Sequence, residues 1–370
     1  MAMSKKQPTH VDGVMIVGGG YAGVHAARAV RRAGEHATVI NPTDQHDFVT
    51  RLAAVAGGTA AAGEASTALG EFADDVIIGR VVRVADGSVV LDDGRTFSAG
   101  ALVVTAGAVS TRPPVDGIEQ AWPLRTADDA LALRSQIAEA DAVVIVGGGA
   151  TGVQLAGCIA AAHRSIRVTL IEAAEGILSG MGRSTGRDAA RILKGRGVDL
   201  VLGQPVESID ADGVVVAGER FNGTPVWAAG FDARADALGL PATPAGQVSV
   251  ADTLLIAEWK TTFAAGDIAA HSTRRGGALP MSAQVAVQAG AAAGANAARL
   301  LQGETLEATD LSHRGWVLDL GGFRGLAEFG PAVLTGPFLD LLPPLLHWGI
   351  DVKHLIETRG LAGLLDAPGR

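Results

Sequence analysis

Cysteine is nearly absent: Cys158 is the one thiol in 370 residues. A single thiol excludes an internal disulfide, a Cys-x-x-Cys redox pair and a cysteine-built metal site. Positive charge is also short, with 30 Lys and Arg against 39 Asp and Glu and a net charge of −9. That balance, with no basic stripe, argues against a nucleic-acid partner. No uninterrupted apolar run reaches the length of a membrane span. The tail from Ala332 to Ile350 is rich in Leu, Pro and Trp, but Asp340 and Pro343-Pro344 break it. Met1 to His10 is polar and lacks the apolar core of a secretory leader, so a cytoplasmic protein is expected.

Glycine is what the chain has in excess, 50 of 370 residues, about twice the usual share. With 48% hydrophobic and 19% charged residues, the composition fits a globular α/β protein of two or three domains. The glycines are patterned. Val14-Met15-Ile16-Val17 reads as a buried strand, and Gly18, Gly20 and Gly23 then form a G-x-G-x-x-G turn opening a helix near Tyr21 and Ala22. Gly18 permits the tight turn, Gly20 lets a phosphate approach the main chain, and Gly23 lets helix and strand pack closely. The helix N-terminus offers free N–H groups and about half a positive charge to a pyrophosphate. Val143-Val144-Ile145-Val146 followed by Gly147, Gly149, Thr151 and Gly152 repeats the whole device.

The two copies differ at the end of their second strand. In the first, Asn41 stands where an acidic residue usually accepts from a ribose hydroxyl; its amide oxygen can accept too, or it is a turn residue before Pro42. In the second, Glu172 supplies the carboxylate, which would repel a 2′-phosphate and favours NADH over NADPH. Between the copies, Val76–Val84, Ser88–Leu91 and Thr96–Phe97 read as hairpin strands around Asp86-Gly87 and Asp93-Gly94. Ala101 to Val104 reads as a buried strand ending in the turn Thr105-Ala106-Gly107, and Thr111 to Pro114 as a crossover. A helix is expected from about Thr185 to Arg196. Thr261 to Ala265 reads as a strand ending in Gly266-Asp267, whose carboxylate could meet a flavin ribityl hydroxyl, or which is a common turn. Ser282 to Leu301 reads as an Ala-rich helix with Gly290 and Gly294 as its breakers. The tail is read as packing against the chain or a second subunit, or as an amphipathic surface helix.

In this order, the motifs resemble the flavoproteins with two dinucleotide-binding domains, and among them the type II NADH dehydrogenases, the single-chain NADH:quinone oxidoreductases. The resemblance runs over roughly residues 13 to 305. It implies an α/β fold of two Rossmann-like domains, FAD and NAD, with the NAD domain (113–254) inserted between the two parts of the FAD domain (1–112 and 255–305), and a small C-terminal region (306–370). It implies FAD on the Gly18 turn and NADH on the Gly147 turn. Thr105-Ala106-Gly107 and Gly266-Asp267 are then cofactor-binding turns. His46-Asp47-Phe48 resembles the family's His-x-Phe, and Ala283 to Gly290 its Ala-Gln-x-Ala-x-Gln helix, which points to His46, Gln284 and Gln288 beside flavin and quinone. Gln154 stands where the family carries a glutamate near the nicotinamide; an amide can orient a carboxamide but cannot carry a proton. No metal is implied. Disulfide reduction and sulfide oxidation are disfavoured, since both need cysteines near the flavin. The expected acceptor is a quinone or similar small molecule, with peripheral contact at the cytoplasmic membrane face or a homodimer as roles for the tail. A soluble reductase for a protein or metabolite acceptor, and an NADH-responsive redox sensor, are the alternatives.

Overall fold

The computed structural model describes residues 8–322, 325–329 and 332–335. The elements that position the site are, in chain order, β1 (Thr9–Val17), α1 (Tyr21–Arg32), β2 (Ala37–Asn41), β3 (Thr96–Val104), β4 (Ala142–Val146), α2 (Ala150–Ala162), β5 (Arg167–Glu172), α3 (Arg183–Lys194) and α4 (Ala283–Leu301). The chain divides into two compact units. The first is the described residues up to Asp47, with Ser66–Val109 and Asp232–His313; the second is Phe48–Ala65, Ser110–Phe231 and the described residues from Arg314. Residues 48–65 go with the second unit because Leu52, Val55 and Ala56 are buried in its core with Leu133 and Leu155. Arg134 fastens them there, its Nη1 donating to the Val55 and Ala60 carbonyls at 2.7 Å each.

In the first unit, β1 lies between β2 and β3 in parallel register, with Val17 opposite Ile40 on one side and Val104 on the other. Val14 to Val17 are buried, as a strand covered on both faces requires. Two sequence expectations are corrected here. Val76–Val84 is two strands: Asp75–Ile78 pairs parallel with β2, and Val81–Ala85 pairs antiparallel with Ser88–Leu91, Gly79 and Arg80 turning the chain between them. Thr96–Phe97 and Ala101–Val104, conversely, are one strand running through Gly100. Its first half pairs antiparallel with Ser88–Leu91 and its second half parallel with Thr262–Ala264.

Against this sheet α4 packs on α1. Gly290 and Gly294, read from sequence as helix breakers, lie inside α4 at its contact with α1. A Cβ on Gly290 would sit 2.1 Å from the Ala22 carbonyl oxygen, and one on Gly294 2.3 Å from that of Ala26. Two glycines one turn apart on α4 meet two alanines one turn apart on α1, which lets the helix backbones touch.

The second unit holds a parallel sheet in the order Trp122–Pro123, Thr224–Trp227, β4, β5, Val198–Leu202, and β4 is buried along its whole length. The expected helix from Thr185 is α3. Glu328, on the strand Gly325–Phe329, accepts from the Gly182 N–H at 3.0 Å and from the Thr185 hydroxyl, supplying the cap that Gly182 lacks. Of the Leu- and Trp-rich tail only Ala332–Thr335 is described, a strand paired with Gly325–Phe329; Asp340 and Pro343-Pro344 lie outside the described residues. Among the described residues, no helix is long and apolar enough to cross a membrane.

Candidate functional site

At the C-terminal edge of the first unit's parallel strands, three turns leave the sheet side by side. Val17, Val104 and Ala264 are in register, so the turns that begin at Gly18, Thr105 and Ala265 share one edge. Ligands of open α/β sheets bind outside that edge. Gly18 has φ +102°, and a Cβ there would lie 2.5 Å from the Thr105 carbonyl oxygen. A Cβ on Gly23 would come within 1.9 Å of the Gly18 oxygen. Gly20 differs: nothing stands within 4 Å of the place its Cβ would take. Tyr21 and Ala22, the first residues of α1, are buried behind the turn.

The turn is clamped from both sides. Asn41 Oδ1 accepts from the Gly19 N–H at 3.0 Å, and its Nδ2 donates to the Thr43 carbonyl at 2.9 Å. His46 Nδ1 lies 2.8 Å from the Gly19 carbonyl, so that nitrogen carries the proton and donates. Thr105 adds a third fastening, its Oγ1 2.8 Å from both the Val17 and Gly18 carbonyls. His46 is fully buried, edge-on to Tyr21 and Phe72. It sits beneath the glycine turn, where its hydrogen bond holds the Gly19 carbonyl. Ala106 is exposed and Gly107 half-buried with φ +69°.

The Gly266–Asp267 turn has a histidine of its own, which motif reading missed. His271 Nε2 accepts from the Gly266 N–H at 3.1 Å. Its proton is then on Nδ1, which is buried with no partner among the described residues. Gly266 has φ +78°, and a Cβ there would lie 2.9 Å from Ala22 Cβ, so this turn abuts the start of α1. Asp267 is half-buried and its carbonyl accepts from Gln247 Nε2 at 3.1 Å.

Burial pushes both imidazoles down to about 4, on His46 against the opposing pull of the Gly19 carbonyl that accepts from it. The unfolded chain takes these protons near pH 6.5 and the folded chain near pH 4. Stability is therefore complete above pH 6.5 and is lost as pH falls toward 4, by about 3 kcal/mol for each histidine. Thermal melts across that window should show the loss. His46→Asn with His271→Gln, which keeps a donor to Gly19 and an acceptor for Gly266, should flatten it; an unchanged slope would remove both groups from the acid response.

The second unit repeats the geometry. Gly147 has φ +115°, and its Cβ would strike the Ala228 backbone at 2.6 Å. A Cβ on Gly152 would lie 2.0 Å from the Gly147 oxygen, whereas Gly149 again faces open space within 4 Å. Glu172 Oε2 accepts from the Gly148 N–H at 2.6 Å and Oε1 from the Ala174 N–H at 2.8 Å. Asn41 and Glu172 thus perform the same task for the middle glycine of each turn, so the asparagine that departs from the family pattern keeps the clamp. Ala228 stands to Gly147 as Thr105 stands to Gly18, a role the sequence reading missed. The signal was present: Trp227-Ala228-Ala229-Gly230 echoes Val104-Thr105-Ala106-Gly107.

Neither α1 nor α2 has a side-chain cap or an acidic residue in its first turn. By contrast, Thr126 and Ser282 cap the helices that follow them. Uncapped N–H groups beside an open glycine suit a pyrophosphate, which brings acceptor oxygens and negative charge. Thr151 is half-buried in the first turn of α2. Gln154 is half-buried, and its Oε1 accepts from the Asp319 N–H at 3.1 Å.

On α4, Gln284 and Gln288 fall one turn apart, but the Gln288 amide is occupied: Nε2 donates to the Gln284 and Ser312 carbonyls at 2.8 and 2.9 Å, and Oε1 accepts from the Ser312 N–H at 3.3 Å. Its observed work is to fasten the segment around Ser312. Among the described residues, no group of three or more His, Cys, Asp or Glu is arranged to hold a metal. Cys158 is buried, and burial pushes its thiol up to about 12, so no thiolate forms at neutral pH.

Comparison with known proteins agrees with this architecture. Residues 12–290 match the pyridine nucleotide-disulphide oxidoreductase family. The chain is 30% identical to the type II NADH:quinone oxidoreductase Ndh of Mycobacterium tuberculosis, over 95% of this chain and 87% of that protein. It is 26% identical to a type II NADH:quinone oxidoreductase of Staphylococcus aureus, over 94% of this chain and 96% of that one. The solved structure of NDH2 from Plasmodium falciparum in complex with NADH shares the fold at 14% identity, with a TM-score of 0.78 over 92% of this chain and 94% of that chain. With its duplicated glycine turns and coverage of nearly full length, the chain belongs to the pyridine nucleotide-disulphide oxidoreductases and, among them, to the type II NADH:quinone oxidoreductases.

Proposed function

We infer that this protein is a flavoenzyme that oxidises NADH and reduces a quinone, with FAD on the Gly18 turn and NADH on the Gly147 turn. The observation that carries the reading is the pair of open glycine seats with different strand-end residues, Asn41 in one and Glu172 in the other. A carboxylate beside the second seat suits the two ribose hydroxyls of NADH and repels the 2′-phosphate of NADPH. The Gly18 seat shares its sheet edge with Thr105–Gly107 and Gly266–Asp267, which supports the larger FAD there.

The chemistry that a flavin supplies when bound is acceptance of a hydride and release of two electrons. The residues of this chain bind and orient. Gly20 and Gly149, with the N–H groups of α1 and α2, hold the two pyrophosphates. Asn41, Glu172 and Asp267 fix the sugar hydroxyls. Gln154 keeps an Nε2 amide to orient a carboxamide while Oε1 rests on Asp319, and as an amide it moves no proton. Gln284 and Gln288, one turn apart on α4, take the quinone-facing role. A lipid-soluble acceptor makes peripheral contact with the cytoplasmic membrane face part of the same reading. The Leu-rich tail is the segment proposed for that contact or for a homodimer.

The test is stopped-flow absorbance. The purified protein should be yellow, bleach faster with NADH than with NADPH, and regain colour on adding a short-chain quinone. Protein that cannot be loaded with FAD, or bleached flavin that ignores quinones, would overturn the reading. Glu172→Gln keeps an acceptor for the Gly148 N–H and removes the charge; it should narrow the NADH preference about tenfold, the worth of about 1.4 kcal/mol. An unchanged ratio would take Glu172 out of the nucleotide site.

A further inference from the structure

Within the second unit lies a cavity of about 580 Å³ that the reaction does not use. It is formed where α2 and α3 end, with the short turns that follow them. Gly149 is the N-cap of α2 and Ala162 ends its 13 helical residues, so the cavity sits about 20 Å from the glycine turn. His163, Arg164, Arg191 and Arg196 line it, Ile166 and Ile192 form its apolar wall, and among the described residues its lining includes no carboxylate.

Two helix C-termini, each with about half a negative charge, would by themselves repel an anion. Three guanidinium groups outweigh them, although Asp188 pairs with Arg191 from the preceding turn of α3. Arg196 is the fixed part of the floor. Its Nη1 donates to the Gly157 carbonyl at 3.0 Å and to that of Leu320, and its Nη2 to that of Gly321 at 2.5 Å. Gly157 and Gly321 carry no side chain where those backbones meet: a Cβ on Gly157 would lie 2.4 Å from the Leu320 oxygen, and one on Gly321 2.8 Å from Cys158 Cα. Arg164 and Arg191 are exposed on the rim. Guanidinium groups are planar forks that match phosphate oxygens two at a time.

We propose that this cavity binds a phosphate-bearing anion, held by Arg164 and Arg191 against the floor that Arg196 fixes. The same chemistry is offered by a soluble phosphorylated molecule and by the headgroup of an acidic lipid, and the test separates them. Inorganic pyrophosphate is titrated calorimetrically into the FAD-loaded protein and into its Arg164→Gln/Arg191→Gln variant. The glycine turns are identical in both proteins, so any difference belongs to the cavity. The variant should bind pyrophosphate about tenfold more weakly or lose one equivalent, and Arg164→Lys/Arg191→Lys should recover part of the affinity. Unchanged flavin content and helical circular dichroism show that the variants fold.

Co-sedimentation with vesicles assigns the source. Retention on phosphatidylcholine–phosphatidylglycerol vesicles, displaced by pyrophosphate and lost in the Gln variant, identifies the headgroup; pyrophosphate binding without vesicle retention identifies a soluble ligand. Equal pyrophosphate affinity and stoichiometry in wild type and Gln variant would overturn the proposal. Because no step depends on turnover, that failure is independent of whether the protein reduces quinones.

Discussion

Gly23→Ala should purify without flavin, while Gly152→Ala should purify yellow yet fail to bleach with NADH. Each substitution adds one methyl group to the same place in a duplicated turn. In the first it would arrive 1.9 Å from the Gly18 oxygen and 2.9 Å from Thr105 Oγ1; in the second, 2.0 Å from the Gly147 oxygen. Those first neighbours are main-chain atoms of a tight turn, so the turn itself must open. Overpacking of this kind costs about 1–3 kcal/mol, and opening the turn also withdraws the N–H groups from the phosphate. A loss of affinity on the order of a hundredfold follows at each seat. The ratio of flavin to protein absorbance reads the first effect and stopped-flow bleaching the second. A colourless Gly152→Ala beside a yellow Gly23→Ala would reverse the assignment of FAD and NADH.

The second large effect is expected on stability. Gly290→Ala/Gly294→Ala puts two methyl groups into the contact of α4 with α1, at 2.1 and 2.3 Å from carbonyl oxygens. Helix propensity alone predicts the opposite, a gain of up to about 1 kcal/mol for each glycine replaced by alanine inside a helix. Steric overlap with another helix's backbone exceeds that gain, and a net loss of about 3 kcal/mol for the pair lowers the melting temperature by on the order of 10 °C. Gly70→Ala is the control, since nothing lies within 4 Å of its Cβ position and its φ is not positive. A melting temperature that rises in the double variant would refute the close contact. Loss of flavin is expected alongside destabilisation, because Ala22 belongs both to this contact and to the first turn of α1.

What the sequence made legible is what is local in the chain. The strand, turn and helix of each glycine motif are encoded within ten residues, and their boundaries fall at Val17 and Tyr21, and at Val146 and Ala150. The fold class followed from that repetition. Features settled by distant partners were not legible. Gly290 and Gly294 look like breakers until α1 is seen against them. The contact of the Gln288 amide with Ser312, 24 residues later, cannot be read from the local sequence. His46 sits in a short motif, but its hydrogen bond to the Gly19 carbonyl, 27 residues earlier, shows only in the fold. His271 carries no motif at all, and only the fold brings it back onto Gly266, five residues earlier. The two strands within Val76–Val84 were merged for the same reason: periodicity reports which residues are buried, not which neighbour each strand chooses.

The bare N-termini of α1 and α2 have a consequence for the life of the polypeptide. A helix that relies on a ligand for its cap makes that ligand a structural part of the protein. Saturation at a hundred times the dissociation constant adds about 2.7 kcal/mol to the folded state, a large share of a typical margin. Newly made chains are then most exposed to proteases before they meet flavin, and a cell short of riboflavin would carry less of this protein as well as less active protein. Vitamin supply would set its abundance without any transcriptional signal.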